Sequence, residues 1–167
     1  MKKMMCAMMF VVIFITMNSC SADSAEGADN STTTETLITN YTYNDSEIET
    51  MKLINDYRVS IGLNALEKIN HISFKCEEHN NYMIAKNVVD HNDFTSRSNN
   101  IISVLGAKKV GENVAYNYKT SEAAVRAWLD SPGHKENIVG DFTHFGLAVT
   151  TDAKTGKKYY TNIFAKI

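Results

Sequence analysis

The chain has 167 residues, 44% hydrophobic and 22% charged, with 17 Lys and Arg against 19 Asp and Glu. That length and balance suit one compact domain with extra segments. A formal net charge of −2 offers no electrostatic attraction to a nucleic-acid backbone, and no internal repeat interrupts the chain.

Lys2 and Lys3 precede an apolar run from Met4 to Met17, followed by Asn18, Ser19 and Cys20. A basic start, a short apolar stretch and a small residue before the cut describe a secretory signal peptide over residues 1–19. The run falls short of the roughly 20 residues that a membrane span needs. Cys20 at the expected cut, with Ser19 before it, resembles the lipobox of bacterial lipoproteins, in which the cysteine becomes the lipidated N-terminus. Met17 and Asn18 depart from the usual pattern there. The alternative is an ordinary signal peptide cut nearby and a secreted product. From Ser21 to Asp45 come five acids and no Lys or Arg. Such a stretch buries too little apolar surface to offset the entropy of ordering. Residues 20–45 therefore read as a lipidated cysteine and a flexible acidic tether. The implied location is the cell envelope, with surface exposure open and the membrane a partner through the lipid.

Residues 46–167 carry 15 Lys and Arg against 14 acids. Once Cys6 leaves and Cys20 is lipidated, only Cys76 remains, so no internal disulfide can form. Ser46 and Glu49 are spaced as a capping box, and Ile48, Met51, Ile54 and Tyr57 follow at helical spacing up to Gly62. Asn70 is placed to cap a second helix whose apolar face holds Phe74, Cys76, Met83, Ile84, Val88 and Val89. His79 lies on or near that face and reads as a core histidine. A short third helix is expected over residues 101–105, ended by Gly106. A fourth begins at Thr120 or Ser121 and packs Ala124, Val125 and Trp128, stopping at Ser131-Pro132-Gly133. Phe145, Leu147 and Val149 alternate, as do Tyr160, Asn162 and Phe164, about an Asp152–Gly156 turn: a C-terminal antiparallel hairpin. The fold class is α+β, with helices packed on a sheet.

Three segments place a coordinating or ionisable side chain where regular structure is expected to end. They are His91-Asn92-Asp93-Phe94, Gly111-Glu112-Asn113-Val114-Ala115, and Trp128-Leu129-Asp130-Ser131-Pro132-Gly133-His134-Lys135-Glu136-Asn137-Ile138, the last holding the only tryptophan and only proline. Together, in this order, and with Asn55-Asp56-Tyr57-Arg58 near the start, they resemble the CAP superfamily of cysteine-rich secretory, antigen 5 and pathogenesis-related proteins. The likeness is to its disulfide-free bacterial branch. The resemblance implies a three-layer α-β-α sandwich over residues 46–167 with a surface cleft. It carries His91, His134 and Glu112 onto the family's two histidines and one of its two glutamates. The second glutamate position is Ser131 here, and Glu136, on the far side of His134, does not replace it. The resemblance further implies that His91 and His134 are the residues that would hold a divalent metal such as Zn2+, with Glu112 alongside.

The same residues admit two readings. In one, His91, Glu112, Ser131 and His134 line a cleft that binds a lipid, peptide or glycan. In the other, His134 and Glu112 hydrogen-bond each other and stitch loops to the sheet, with Asn113 as a bracing amide. An enzymatic variant makes Glu112 the base and water the nucleophile in hydrolysis of peptides or envelope polymers. A version using Ser131 as nucleophile and His134 as base is less favoured, because Ser131 also suits a helix end. The missing second carboxylate counts against catalysis. The reading adopted from sequence is a ligand-binding module with a candidate metal site.

Overall fold

The computed structural model describes residues 36–167. The expected signal peptide, Cys20 and the expected tether up to residue 35 lie outside the described residues. Among these the elements run, in order, α1 (Asp45–Ser60), β1 (Glu67–Lys68), α2 (Asn70–Lys86), α3 (Phe94–Leu105), β2 (Lys109–Tyr116), α4 (Ser121–Asp130), α5 (Pro132–Ile138), β3 (His144–Thr151) and β4 (Lys158–Lys166). The sheet order is β1-β3-β4-β2, with β1 parallel to β3 and the other neighbours antiparallel. This is the α+β class expected, and the C-terminal hairpin is its centre.

Helices cover both faces, so successive strand residues feed two separate cores. On one face Phe145, Leu147, Tyr160 and Phe164 pack with Met51 and Ile54 of α1 and Trp128 of α4. On the other, Ala148, Ile163 and Ala165 meet Ile72 and Cys76 of α2 and Ile101 of α3. Gly146 lets α2 approach: a β-carbon there would sit 2.3 Å from the Ser73 backbone nitrogen. Trp128 is fully buried, meets Tyr160 edge-on, and donates its indole N–H to the Val114 carbonyl at 2.9 Å.

Several local expectations shift. The capping box of α1 is Asn44 with Glu47, not Ser46 with Glu49: Asn44 Oδ1 accepts from Glu47 N–H and Glu47 Oε2 from Asn44 N–H. Helix α2 is not capped by Asn70, which is its first helical residue; Asn70 instead bonds Tyr43 and Thr39. Helix α3 starts seven residues before the expected Ile101. Pro132 does not merely break the α4 helix; it occupies the first turn of a new one, where its missing N–H costs nothing. The domain also starts earlier than Ser46, because Ile38 N–H bonds His71 and the Tyr41 hydroxyl bonds Glu47. These contacts hold the described end of the expected tether against the helices.

Arg58, at the end of α1, is completely buried, with Asp141 acting on it electrostatically. Its guanidinium donates to the carbonyls of Asn64, Ile138, Gly140 and Phe142 and to Asn64 Oδ1. Burial lowers its pKa, but five donors in a fixed fork are all used. This one side chain joins α1 to the segment between α5 and β3. Arg58→Lys keeps the charge but cannot supply the fork. It should destabilise the fold by about 2 kcal/mol or more, read as a lowered urea midpoint with an unchanged m-value.

Candidate functional site

The site is built on β2. Register with β4 places Glu112 opposite Ile163 and Asn113 opposite Asn162, so the two neighbours point to opposite faces of the sheet. Glu112 faces α3 and the segment between α2 and α3. Asn113 faces α5.

On the first side, Arg97 Nε donates to Glu112 Oε2 at 2.9 Å and Arg97 Nη2 to Oε1 at 2.9 Å. The His91 Nδ1–H donates to Oε1 at 2.8 Å. The carboxylate side chain is 1% exposed and that of His91 49%. Arg97 also donates to the Asn92 carbonyl at 2.7 Å, so the guanidinium supports both the carboxylate and the loop beside His91. Because the carboxylate accepts at Nδ1, this contact leaves the other ring nitrogen, Nε2, unused.

On the second side, Asn113 Nδ2 donates to the His134 carbonyl at 2.9 Å, while Asn137 Nδ2 donates to Asn113 Oδ1 at 2.8 Å and to the Glu112 carbonyl. Gly111 admits Asn137, whose Oδ1 would lie 2.6 Å from a β-carbon there. The bracing role expected of Asn113 is thus present, with Asn137 as its partner. His134, half-buried in the first turn of α5, has its pKa lowered first by burial and then by the nearby charge of His91. Ser131 is the N-cap residue of α5, half-buried, and its hydroxyl makes no capping bond.

The structure therefore joins His91 directly to Glu112 and sets His134 within electrostatic range of His91. The bond that sequence reading weighed between His134 and Glu112 is instead made by His91. The residue that reading missed is Arg97. It lies one turn into a helix whose start was placed too late, so its spacing from His91 carried no weight.

An open zinc site takes three protein ligands and a water. Both oxygens of Glu112 are engaged by Arg97 and His91, and a guanidinium lies against them. What remains is two imidazoles, and among the described residues no group of three His, Cys, Asp or Glu is arranged to hold a metal ion. The residues present do not fit a resident divalent metal.

The cysteine-rich secretory protein (CAP) family model matches residues 51–164. The chain belongs to the CAP family. It is 32% identical over 134 residues to the uncharacterized protein YkwD of Bacillus subtilis, covering 78% of this chain and 51% of that one. It is 43% identical over 60 residues to the uncharacterized membrane protein YlbC of the same organism, covering 35% of this chain and 16% of that one. The CAP chain thus spans about half, or less, of these relatives' lengths. Among solved structures it resembles an outer surface protein of Borrelia burgdorferi (TM-score 0.66, 20% identity, 77% of this chain and 98% of that one). It also resembles an extracellular SCP-domain protein of Bacillus anthracis (TM-score 0.64, 25% identity, 73% and 40%). These likenesses agree with the layered CAP fold.

Two outcomes test the electrostatics of this CAP site. Arg97→Ala leaves a buried carboxylate with only His91 as partner and should cost about 3–5 kcal/mol, measured by denaturant unfolding. The pKa values of His134 and buried His79 are both lowered, in each case chiefly by burial. The unfolded chain takes up these protons near pH 6.5, before the folded chain does. The stabilisation is therefore complete above that pH and is lost as pH falls toward the folded pKa values. The urea midpoint should drop between pH 7.5 and 5.5, and drop less in His134→Gln.

Proposed function

We propose that this chain is an exported, lipid-anchored CAP domain acting as a ligand-binding module, with His91, Ser131 and His134 as its recognition surface. The observation that carries the reading is the state of Glu112. Its carboxylate is buried and spent on Arg97 and His91, while the His91 ring stays half exposed. A general base needs a free oxygen within reach of a substrate proton, and Glu112 offers none. It serves to orient His91.

The surface left for a ligand is two imidazoles and a hydroxyl beside an ion pair that neutralises itself. Such a surface suits neutral groups that donate hydrogen bonds, the hydroxyls of a glycan or the amides of a peptide. Export is supported by the signal-like N-terminus and by two structural neighbours named as an outer surface and an extracellular protein. Membrane attachment is supported by Cys20 and by the naming of one relative as a membrane protein.

The test uses the full chain expressed in a bacterial host, as wild type and as Cys20→Ser, His91→Ala, His134→Ala and Glu112→Gln. Cys20→Ser should move the protein from the membrane to the soluble fraction. Soluble cell-wall glycans and peptides should raise the melting temperature of the wild type, and both histidine variants should abolish the shift. Turnover of any of these ligands that disappears in Glu112→Gln would replace binding with hydrolysis. Micromolar zinc binding lost in both histidine variants would overturn the argument from donor number. Absence of any ligand-dependent shift would reject the module.

A further inference from the structure

His79 is a buried imidazole to which the family resemblance assigns no role. It sits in α2, 2% exposed, with its ring stacked on Tyr82 at 5.8 Å and an interplanar angle of 11°. Its Nε2 lies 2.9 Å from the Asp90 carbonyl oxygen. A carbonyl can only accept, so Nε2 carries the hydrogen and Nδ1 a lone pair. That Nδ1 is buried and has no hydrogen-bond partner. An unsatisfied buried nitrogen is costly, which calls for a reason beyond filling space.

The reason is the residue that follows Asp90. The segment bearing His91 begins and ends in left-handed conformations, Asn87 at φ 53° and Asp93 at φ 56°. Residues 91–93 are exposed. Within the segment, Asn92 N–H bonds Asp90 Oδ1 and Phe94 N–H bonds the His91 carbonyl. Two side chains from the helices fasten it from below. Arg97 of α3 holds the Asn92 carbonyl, on one side of His91. His79 of α2 holds the Asp90 carbonyl, on the other.

We infer that His79 is a positioning residue for His91, fixing the backbone before it as Arg97 fixes the backbone after it, so that the His91 ring meets Glu112 in one orientation. This rests on the reading of His91 as part of the recognition surface. The charged groups around His79 are Arg97, Glu112 and Asp90. Burial, reinforced by Arg97, favours the neutral ring, which has the single donor this role requires. Phe at this position keeps the bulk and the stacking but removes the donor. Gln keeps a donor able to reach a carbonyl.

The experiment is NMR and amide hydrogen exchange on the full chain as wild type, His79→Phe and His79→Gln, with urea unfolding run in parallel. In wild type, the imidazole nitrogen signals should show His79 as the neutral Nε2–H tautomer, and a downfield His91 Nδ1–H proton should report its bond to Glu112. His79→Phe should lose or shift that proton and speed exchange over residues 88–92 by about tenfold, the equivalent of one net hydrogen bond. His79→Gln should restore both. A core-only role predicts no change at His91 in Phe, or equal changes in Phe and Gln, and either result overturns the proposal. If His79→Phe does not fold, the wild-type tautomer decides: a charged ring or an Nδ1–H tautomer at pH 7 rejects it. A His91 signal that follows the donor in a chain that binds no ligand would uphold the positioning role while the binding reading fails.

Discussion

Everything about the site depends on the two-residue period of one strand. Glu112 and Asn113 are neighbours in β2, so their side chains leave the sheet on opposite faces. Glu112 gathers Arg97 and His91, while Asn113 takes the His134 carbonyl and Asn137. A single strand segment thereby binds the α2–α3 side of the domain to the α5 side and brings two histidines, 43 positions apart in the chain, to one end of the sheet. A one-residue slip of β2 would exchange the two side chains and dismantle both halves. Registry with eight residues of β4 prevents that slip.

The electrostatics follow the same economy. A carboxylate removed from water is tolerated only when charge and hydrogen bonds replace its hydration. Arg97 supplies both in bidentate form, and His91 adds a third donor. Arg58 solves the converse problem on the opposite face, where a guanidinium is satisfied by carbonyls from three different residues beyond β1 and by Asn64. In both places an ionised group fixes the path of irregular backbone. At Glu112 the group best suited to act as a base is the one most fully occupied in holding His91.

The parts legible in the sequence are those whose burial is one-sided or whose ends carry local signals. The hairpin follows from alternating Phe145, Leu147 and Val149 around an Asp152–Gly156 turn, which forms with Gly156 at φ 70°. Helix α4 begins at Ser121, within the expected start at Thr120 or Ser121, and the Thr120 hydroxyl caps it. Strand β2 is different. Covered by helices on both faces, it shows no simple alternation, and its Gly, Glu and Asn imitate a loop. Helix α3 opens with Phe-Thr-Ser-Arg-Ser-Asn-Asn, in which every residue but Arg97 has weak helix propensity, held by tertiary contacts that include Arg97 to Glu112. That hid the start of the helix and Arg97 together. The three motif residues of the site were readable only through family likeness, since 21 and 22 residues separate them and no local spacing predicts their meeting.

The edges of the sheet explain why so many polar side chains are buried. β1 covers β3 only at His144 and Phe145, leaving later residues of β3 without a strand neighbour on the side away from β4, a risk for unwanted pairing. Side chains take that place: Ser73 accepts from Leu147 N–H, Glu47 accepts from Val149 N–H, and Asn44 donates to the Val149 carbonyl. At the other edge, Trp128 and Asn137 donate to the carbonyls of Val114 and Glu112. The described residues contain one thiol, Cys76, and it is free and buried, so no disulfide braces these layers. The layers are instead joined at the strand edges by hydrogen bonds from the helices. Glu47 belongs to the α1 capping box and also bonds Tyr41 and Val149, so the chain entering the domain is held by the residue that closes the sheet. Asn113 and the His134 carbonyl it bonds lie along the opposite edge, where Asn137 and Trp128 close β2. There the same device that satisfies the strand also sets the position of His134.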